Sequence, residues 1–323
     1  MQKKISVVIP TYDRPALLRG CLEALSQQTF ASEAFEVIIV SDGPDQATAA
    51  VVAEWQSIAA FELRLLPLSY RKGPAAARNL GWQQASGTLI AFTHDDCLPV
   101  PRWLTSLWNA YQNEPEIAYS GKVLVPVSEI PTDYERNIAG METVTFIAAN
   151  CACTRIALAK TGGFDERFAT AWGEDSDLEF KLLEKRIPIK NLPQALVLQP
   201  VRQAPWGESL KEQRKSMFNA LLYKKFPELY RKKIRSAPVW HYYLILLCFL
   251  GILVGLLTAS AGLTSVSLVG WLGCTGWFAW KRLSGTSKSF RHVTEMLVTS
   301  ALIPFLSVYW TLYGAWRYRV LFF

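Results

Sequence analysis

The first ninety or so residues alternate between short apolar runs and segments of helical periodicity. "ISVVIP" (Ile5 to Pro10), "FEVIIVSDG" (Phe35 to Gly43), "FELRLLPL" (Phe61 to Leu68) and "TLIAF" (Thr88 to Phe92) are rich in β-branched and large apolar residues, which predicts buried strands. Between them, Leu17 to Gln28, Ala47 to Ile58 and Ala75 to Ala85 carry apolar positions at helical spacing. Strands alternating with helices predict βαβ units and an α/β fold class with a mostly parallel, Rossmann-like sheet and flanking helices. No internal repeat or low-complexity segment interrupts the pattern.

The pattern changes from Trp240 onward. Residues 241–262 contain no Asp, Glu, Lys or Arg and are about long enough to span a bilayer. A second apolar run follows at 264–280, so the pair predicts a helical hairpin; a third, about 295–316, is apolar and aromatic but holds Pro304, and reads either as a span or as an interfacial helix. The expected organisation is therefore a cytoplasmic domain over 1–235 and an α-helical membrane region over 236–323. Residues 205–226 suggest an amphipathic helix lying along the membrane or packed on the sheet.

Charge sets the orientation. The chain of 323 residues has a formal net charge of +7, and much of that excess lies in "YKKFPELYRKKIR" before the first span and in Lys281, Arg282, Lys288 and Arg291 after the second. Both flanks are expected on the cytoplasmic side, which predicts a multi-pass protein of the cell (inner) membrane with its large domain in the cytoplasm. Attraction to anionic lipid accounts for the basic excess better than nucleic-acid binding does. The N-terminal apolar stretch is too short for a signal peptide. The six cysteines form no C-x-x-C pair or metal spacing and are expected to be small apolar residues.

Each predicted strand ends in polar groups: "PTYDR" after the first, Asp42 after the second, Lys72 and Arg78 in "RKGPAAARN" after the third, and "HDD" (His94, Asp95, Asp96) after the fourth. In open α/β sheets ligands bind beyond the carboxyl ends of the strands. Adjacent carboxylates there suit a hard cation such as Mg²⁺ or Mn²⁺ that shares its shell with phosphate oxygens, and Lys72 and Arg78 would add positive charge. Each group has a plainer reading: Asp95 and Asp96 as caps for a helix starting near Pro101, Asp42 as a turn residue, Lys72 and Arg78 as surface charges.

"VVIPTYDRPALLRGCLEAL", "VSDGPD", "GPAAARNLGWQQASGTLIAFTHDD" and "GGFDERFATAWGEDSDLEFKLL" together resemble the family 2 glycosyltransferases of GT-A fold, over roughly residues 4–230. The resemblance implies a nucleotide-sugar donor, with Pro10, Thr11 and Tyr12 lining a base pocket, Asp42 contacting the base, Lys72 and Arg78 near the diphosphate, and Asp95 and Asp96 binding metal and diphosphate. It also implies that Glu174 and Asp175 are acceptor-site acids, with Asp175 the base that deprotonates an acceptor hydroxyl in a single inverting displacement, and that Asn150 and Trp172 line the acceptor site. Two departures stand out. His94 replaces an acid common in the D-x-D region, which makes it a further candidate ligand, and Gln199 or Gln203 stands where relatives often have a metal-binding His. The implied protein is a membrane-anchored enzyme acting on a lipid-linked or membrane-proximal acceptor in cell-surface polysaccharide or glycolipid synthesis. The alternatives are a polyprenyl-phosphate glycosyltransferase, whose anionic nucleophile needs no base, and a non-catalytic scaffold. The sugar, the nucleotide, the acceptor and the oligomeric state are not specified.

Overall fold

The computed structural model describes residues 3–322. The chain divides into two compact units, Met1–Pro126 with Ala139–Val201, and Val127–Ile138 with Arg202–Phe323. Where the sequence suggests a boundary near 235, the division falls at Val201, and the second unit also takes the short excursion 127–138.

The first unit is built on an eight-stranded sheet: β1 (Ile5–Thr11), β2 (Phe35–Ser41), β3 (Glu62–Pro67), β4 (Leu89–Thr93), β5 (Leu98–Pro99), β6 (Ala118–Leu124), β7 (Asn150–Thr154) and β8 (Ile189–Leu198), in the order β3-β2-β1-β4-β7-β6-β8-β5. The four strands read from the sequence are mutually parallel, joined through α1 (Pro15–Ser26), α2 (Gln46–Ile58) and α3 (Pro74–Gln84). Every residue of β1, β2 and β4 is buried, as unbroken apolar runs covered on both faces must be. β7 then runs antiparallel to both β4 and β6, so the sheet is mixed beyond β4. The order reverses between β1 and β4, and in open α/β sheets a switch point of this kind is where ligands bind, beyond the carboxyl ends of the strands.

The helix expected near Pro101 is α4 (Trp103–Ala110), and α5 (Asp133–Ala139), α6 (Arg155–Thr161) and α7 (Glu174–Glu184) follow. Val8, Ile38, Val40, Ile90, Phe92, Phe146, Phe164 and Leu178 form the centre of the core. A buried carboxylate sits in the same sheet. Glu36 Oε1 accepts from Ser6 Oγ, Ser86 N and Ser86 Oγ, each at 2.6 Å, and its Oε2 meets Arg64 Nη1 at 3.1 Å. Burial alone raises the carboxyl pKa, but these hydrogen bonds outweigh it and hold Glu36 below the usual range.

In the second unit the expected amphipathic segment is broken into α8 (Glu208–Glu212), a 3₁₀ turn at Gln213–Ser216 and α9 (Met217–Lys225), with α10 (Pro227–Lys233) behind it. Then come α11 (Trp240–Leu257), α12 (Ala261–Leu283) and α13 (Phe290–Tyr318), the last continuous through Pro304. Among the described residues two helices, α11 and α13, are long and apolar enough to cross a membrane; α12 has the length but is less apolar. α11 and α12 approach closely where α11 has glycines: a Cβ at Gly251 would lie 2.4 Å from Ser267 Oγ, and one at Gly255 would lie 2.7 Å from Thr264 N. The excursion is pinned to the helices by Arg282, whose Nη2 and Nε donate to Asp133 Oδ2 at 2.7 and 3.2 Å while Nη1 donates to Thr299 Oγ1 at 2.6 Å. Arg136 Nη1 adds a bond to the Ser284 carbonyl at 2.6 Å.

Candidate active site

The carboxyl ends of β1, β2 and β4 bring Thr11, Asp42, Asp95 and Asp96 to one edge of the sheet. Asp95 is 3 % exposed; its Oδ2 accepts from Thr11 Oγ1 at 2.8 Å and its Oδ1 meets Arg14 Nη1 at 3.4 Å. Burial raises its pKa against the opposing pull of Arg14. Asp96 is 7 % exposed, and its Oδ1 lies 3.4 Å from Gln199 Nε2 and 3.9 Å from Cys97 Sγ and His94 Nδ1. Asp95 is thus bound into the fold through Thr11 and Arg14. Burial pushes the Cys97 thiol well up, so it is a packed thiol in this state.

Asp42 organises the loop before α3. Its Oδ1 accepts from the Lys72 and Gly73 backbone N–H groups at 2.7 and 2.9 Å, and Arg71 Nε lies 3.8 Å from Oδ2. Gly73 has φ +97°, and a Cβ there would meet the Ala169 carbonyl at 2.4 Å, so only glycine lets this loop lie against the segment leading to α7. Arg71 stacks over the Tyr12 ring at 4.3 Å, Tyr12 remains 37 % exposed, and Pro10 is buried. Lys72 Nζ sits 4.9 Å from the Tyr70 ring and stays half-buried.

The second pair of acids lies at the start of α7, behind the left-handed Gly173. Glu174 is buried, and its Oε1 accepts from Arg78 Nη1 at 3.0 Å. Asp175 is half-buried, and its Oδ1 accepts from the Ser176 N–H at 2.8 Å. Burial first, and then the Glu174 charge, raise its pKa to about 7, the range of a base that works near neutrality. Trp172, 46 % exposed, projects from the turn just before this helix.

Two expected contacts are corrected. Arg78 is not a surface cation facing phosphates: it is 1 % exposed, bonded to Glu174 and, through Nη2, to His94 Nε2 at 3.0 Å, with its guanidinium 5.3 Å from the Phe164 ring. Because Arg can only donate, His94 Nε2 is the accepting nitrogen in this arrangement and is not available to a metal. Asn150 is fully buried and cannot line an open acceptor site. Its Nδ2 donates to the Lys122 and Ala195 carbonyls at 2.8 Å, and its Oδ1 accepts from Trp103 Nε1 at 2.9 Å, which ties β7 to its neighbours. Arg14 and Arg71 lie within the polar "PTYDR" and "RKGPAAARN" endings without a role of their own there, and no local pattern marks Glu36.

Residues 6–164 match the family model described as Glycosyl transferase family 2. The chain is 35 % identical over 100 residues to glycosyltransferase AglE of Haloferax volcanii, covering 31 % of this chain and 33 % of that protein. It is 32 % identical over 93 residues to a GalNAc(5)-diNAcBac-PP-undecaprenol beta-1,3-glucosyltransferase of Campylobacter jejuni, covering 29 % of each chain. The match thus spans about a third of the length of these curated relatives. Among solved structures, the mannosyltransferase PcManGT of Pyrobaculum calidifontis in complex with GDP-Man and Mn²⁺ shares the fold at TM-score 0.55 and 17 % identity, over 99 % of this chain and 88 % of that one. The match over 6–164, the sheet with its switch point and the solved neighbour agree on a GT-A fold, in which residues 6–164 are similar to glycosyl transferase family 2.

Proposed function

We propose that the protein is a membrane-anchored, inverting glycosyltransferase that moves a sugar from a nucleotide-sugar donor to the hydroxyl of a lipid-linked or membrane-proximal acceptor. The observation that carries this reading is the pairing of two acid sites through one buried cation: Arg78 bonds Glu174 beside Asp175 and reaches His94 beside Asp95 and Asp96. Asp175 takes the acceptor proton as the acceptor oxygen bonds to the anomeric carbon. The bond from that carbon to the diphosphate oxygen breaks, and the nucleoside diphosphate leaves from the opposite face. Glu174 and Arg78 hold the helix start in place, and Trp172 offers an exposed ring to the acceptor. Tyr12, Thr11 and the Asp42 loop form the donor side.

The chemistry of the donor set fits a hard divalent cation. Asp96 and Asp95 contribute adjacent buried carboxylates at the strand end, Asp96 within the one His/Cys/carboxylate cluster of metal-binding spacing among the described residues, and Gln199 has a buried amide oxygen with no hydrogen-bond partner. Asp96 would hold Mg²⁺ or Mn²⁺, which would offset charge on the departing diphosphate. Membrane anchoring rests on α11 and α13, with Lys224, Lys225, Arg231, Lys232, Lys233 and Arg235 ahead of α11 and Lys281, Arg282, Lys288 and Arg291 after α12 favouring a cytoplasmic first unit at the inner membrane. The undecaprenol-linked substrate in the Campylobacter relative's name supports a lipid-linked acceptor here.

The test is donor turnover by the full chain in native-like membranes, with a panel of nucleotide sugars and Mn²⁺, beside Asp96→Asn and Asp175→Asn. Release of nucleotide from one donor, lost in both variants, is the expected result. Activity intact in Asp175→Asn would instead indicate a phosphate acceptor, and intact donor throughout would refute the enzyme.

A further inference from the structure

α13 is apolar enough to cross a bilayer, yet 39 % of its apolar stretch is buried within the protein, against 11 % for α11. Part of its cover is the charged segment that precedes α10. Near the start of α13, Glu295 Oε1 accepts from the Gly207 N–H at 2.7 Å. Farther along, the Arg214 guanidinium lies 5.7 Å from the Trp310 ring, and a Cβ at Gly314 would lie 2.8 Å from Met217 Cα. At its end, Lys224 Nζ donates to the Tyr318 carbonyl at 2.7 Å. α8, the 3₁₀ turn and α9 therefore run beside α13 from its second turn to its last.

A crossing by α13 would have to carry this neighbour with it. Lys211, Glu212, Arg214 and Lys215 would then sit at bilayer depth, where charged side chains are strongly disfavoured. The two ends of α13 add a second constraint. Its start follows the loop that Arg136 holds through the Ser284 carbonyl, and past its end Phe322 packs on Tyr230 of α10, ring centroids 5.5 Å apart. α10 belongs to the basic run just ahead of α11, which favours the cytoplasmic side. At 29 residues α13 is about 43 Å long, more than the roughly 30 Å of hydrocarbon in a bilayer, so a crossing would set Phe322 on the face opposite Tyr230.

The other side of α13 is apolar and open. Val298, Leu302, Tyr309, Leu312 and Trp316 are each at least 44 % exposed, and their spacing places them in one line along the helix. Met296, Ile303 and Gly314 are buried on the side facing away from that line.

We infer that α13 lies along the cytoplasmic surface of the membrane, with this stripe set among lipid headgroups and the upper acyl chains. This rests on the membrane reading above and defines the part α13 plays in it: α11 and α12 cross as a hairpin, and the chain beyond them returns to the side of α10. Lipid is the occupant because the stripe is continuous with the apolar hairpin; Phe305, on the same line, meets Phe249 of α11 with ring centroids 5.1 Å apart. Tyr309 and Trp316 suit the headgroup level, and the exposed Arg317 and Arg319 at the end of the stripe complement anionic lipid.

The experiment measures sidedness and depth in the full chain. Green fluorescent protein or alkaline phosphatase is fused after Phe323, and in a second pair is inserted at the α11–α12 turn between Ala259 and Ser260, in a bacterial host. The carboxyl-terminal fusion should fluoresce and lack phosphatase activity, and the turn should show the reverse. An active carboxyl-terminal phosphatase overturns the inference, whereas a turn that reports from the cytoplasm overturns the membrane reading itself. For depth, spin labels are placed singly by Val298→Cys, Tyr309→Cys and Trp316→Cys in a chain carrying Cys248→Ser and Cys274→Ser; the other four cysteines are buried. Accessibility to oxygen and to a water-soluble nickel chelate is read in nanodiscs containing phosphatidylglycerol. One shared shallow depth of about 5–10 Å at all three sites is expected. Oxygen access that peaks at Tyr309 marks a crossing, spin coupling between labels marks a second copy on the stripe, and nickel access equal to that in water marks a free surface; each overturns the inference.

Discussion

Replacing Glu174 with Gln is expected to move the acidic limb of the pH profile downward without removing activity. The substitution keeps the side-chain volume and leaves an oxygen to accept from Arg78 Nη1, a bond of 3.0 Å in the parent. What it removes is the like charge beside Asp175, the second cause of that residue's raised pKa after burial. Burial persists, so the midpoint falls only part of the way toward the ordinary value of 3.8. Arg78, relieved of its partner's charge, pulls in the same direction. With the parent's midpoint at about 7, roughly 3 % of Asp175 is ionised at pH 5.5, and a fall of about one pH unit would bring that to about a quarter. The rate at pH 5.5, relative to the plateau, should therefore rise about eightfold. The assay is kcat/KM from pH 5 to 9 with the donor identified by turnover, in membranes, beside Asp175→Asn, which should lose about 10²–10⁴-fold. A midpoint that stays in place or rises in Glu174→Gln would refute the argument that these two carboxylates share a field.

Three further outcomes follow from the same geometry. Arg78→Met strands the buried Glu174 carboxylate and should destabilise the fold by about 3–5 kcal/mol, while the double variant with Glu174→Leu should recover much of that in thermal melts; an additive pair would show that the ion pair is not coupled. Glu36 is held below the usual pKa, so its contribution is present above the unfolded-state value and is lost as pH falls through the lower folded-state value. Glu36→Gln should therefore lower the melting temperature at pH 7, with the gap from the parent closing toward pH 3. Gly73→Ala places a Cβ against the Ala169 carbonyl in a left-handed turn and should disturb the donor loop, read as lowered binding of nucleoside diphosphate by calorimetry.

The strands up to Thr93 were legible because full burial writes itself as unbroken β-branched runs, and β1, β2 and β4 fall within a residue or two of the predicted limits. Beyond them the sheet turns antiparallel, a choice made by chain pairings such as Phe92 with Cys151 that no local pattern encodes. The acids at the strand ends were visible as motifs, but their partners were not. Arg78 and Glu174 are 96 positions apart and Asp96 and Gln199 are 103, so whether a cation faces solvent or a buried carboxylate is decided by tertiary packing. Asn150 reads as a polar site residue in sequence because an amide that bridges strands looks the same as one that meets a ligand. In α13, Pro304 left open whether the segment spans or lies in the interface, and the helix runs through it.

The detour of residues 127–138 carries a practical consequence for anyone dissecting the protein. Its flanks belong to the sheet, entering after β6 and returning before β7, while its own anchor is Arg282, near the end of α12. Stopping the chain at Val201 or at Arg235 would thus remove the cation that neutralises Asp133 and leave Val127 and Ile130, already 42 % and 67 % exposed, on a segment with nothing to hold it. A soluble fragment made by trimming the carboxyl terminus alone is expected to be sticky and prone to proteolysis at this segment. Excising the detour as well, with a short glycine-rich bridge from Pro126 to Ala139, is the more promising cut, because the two breaks together follow the molecule's own seam.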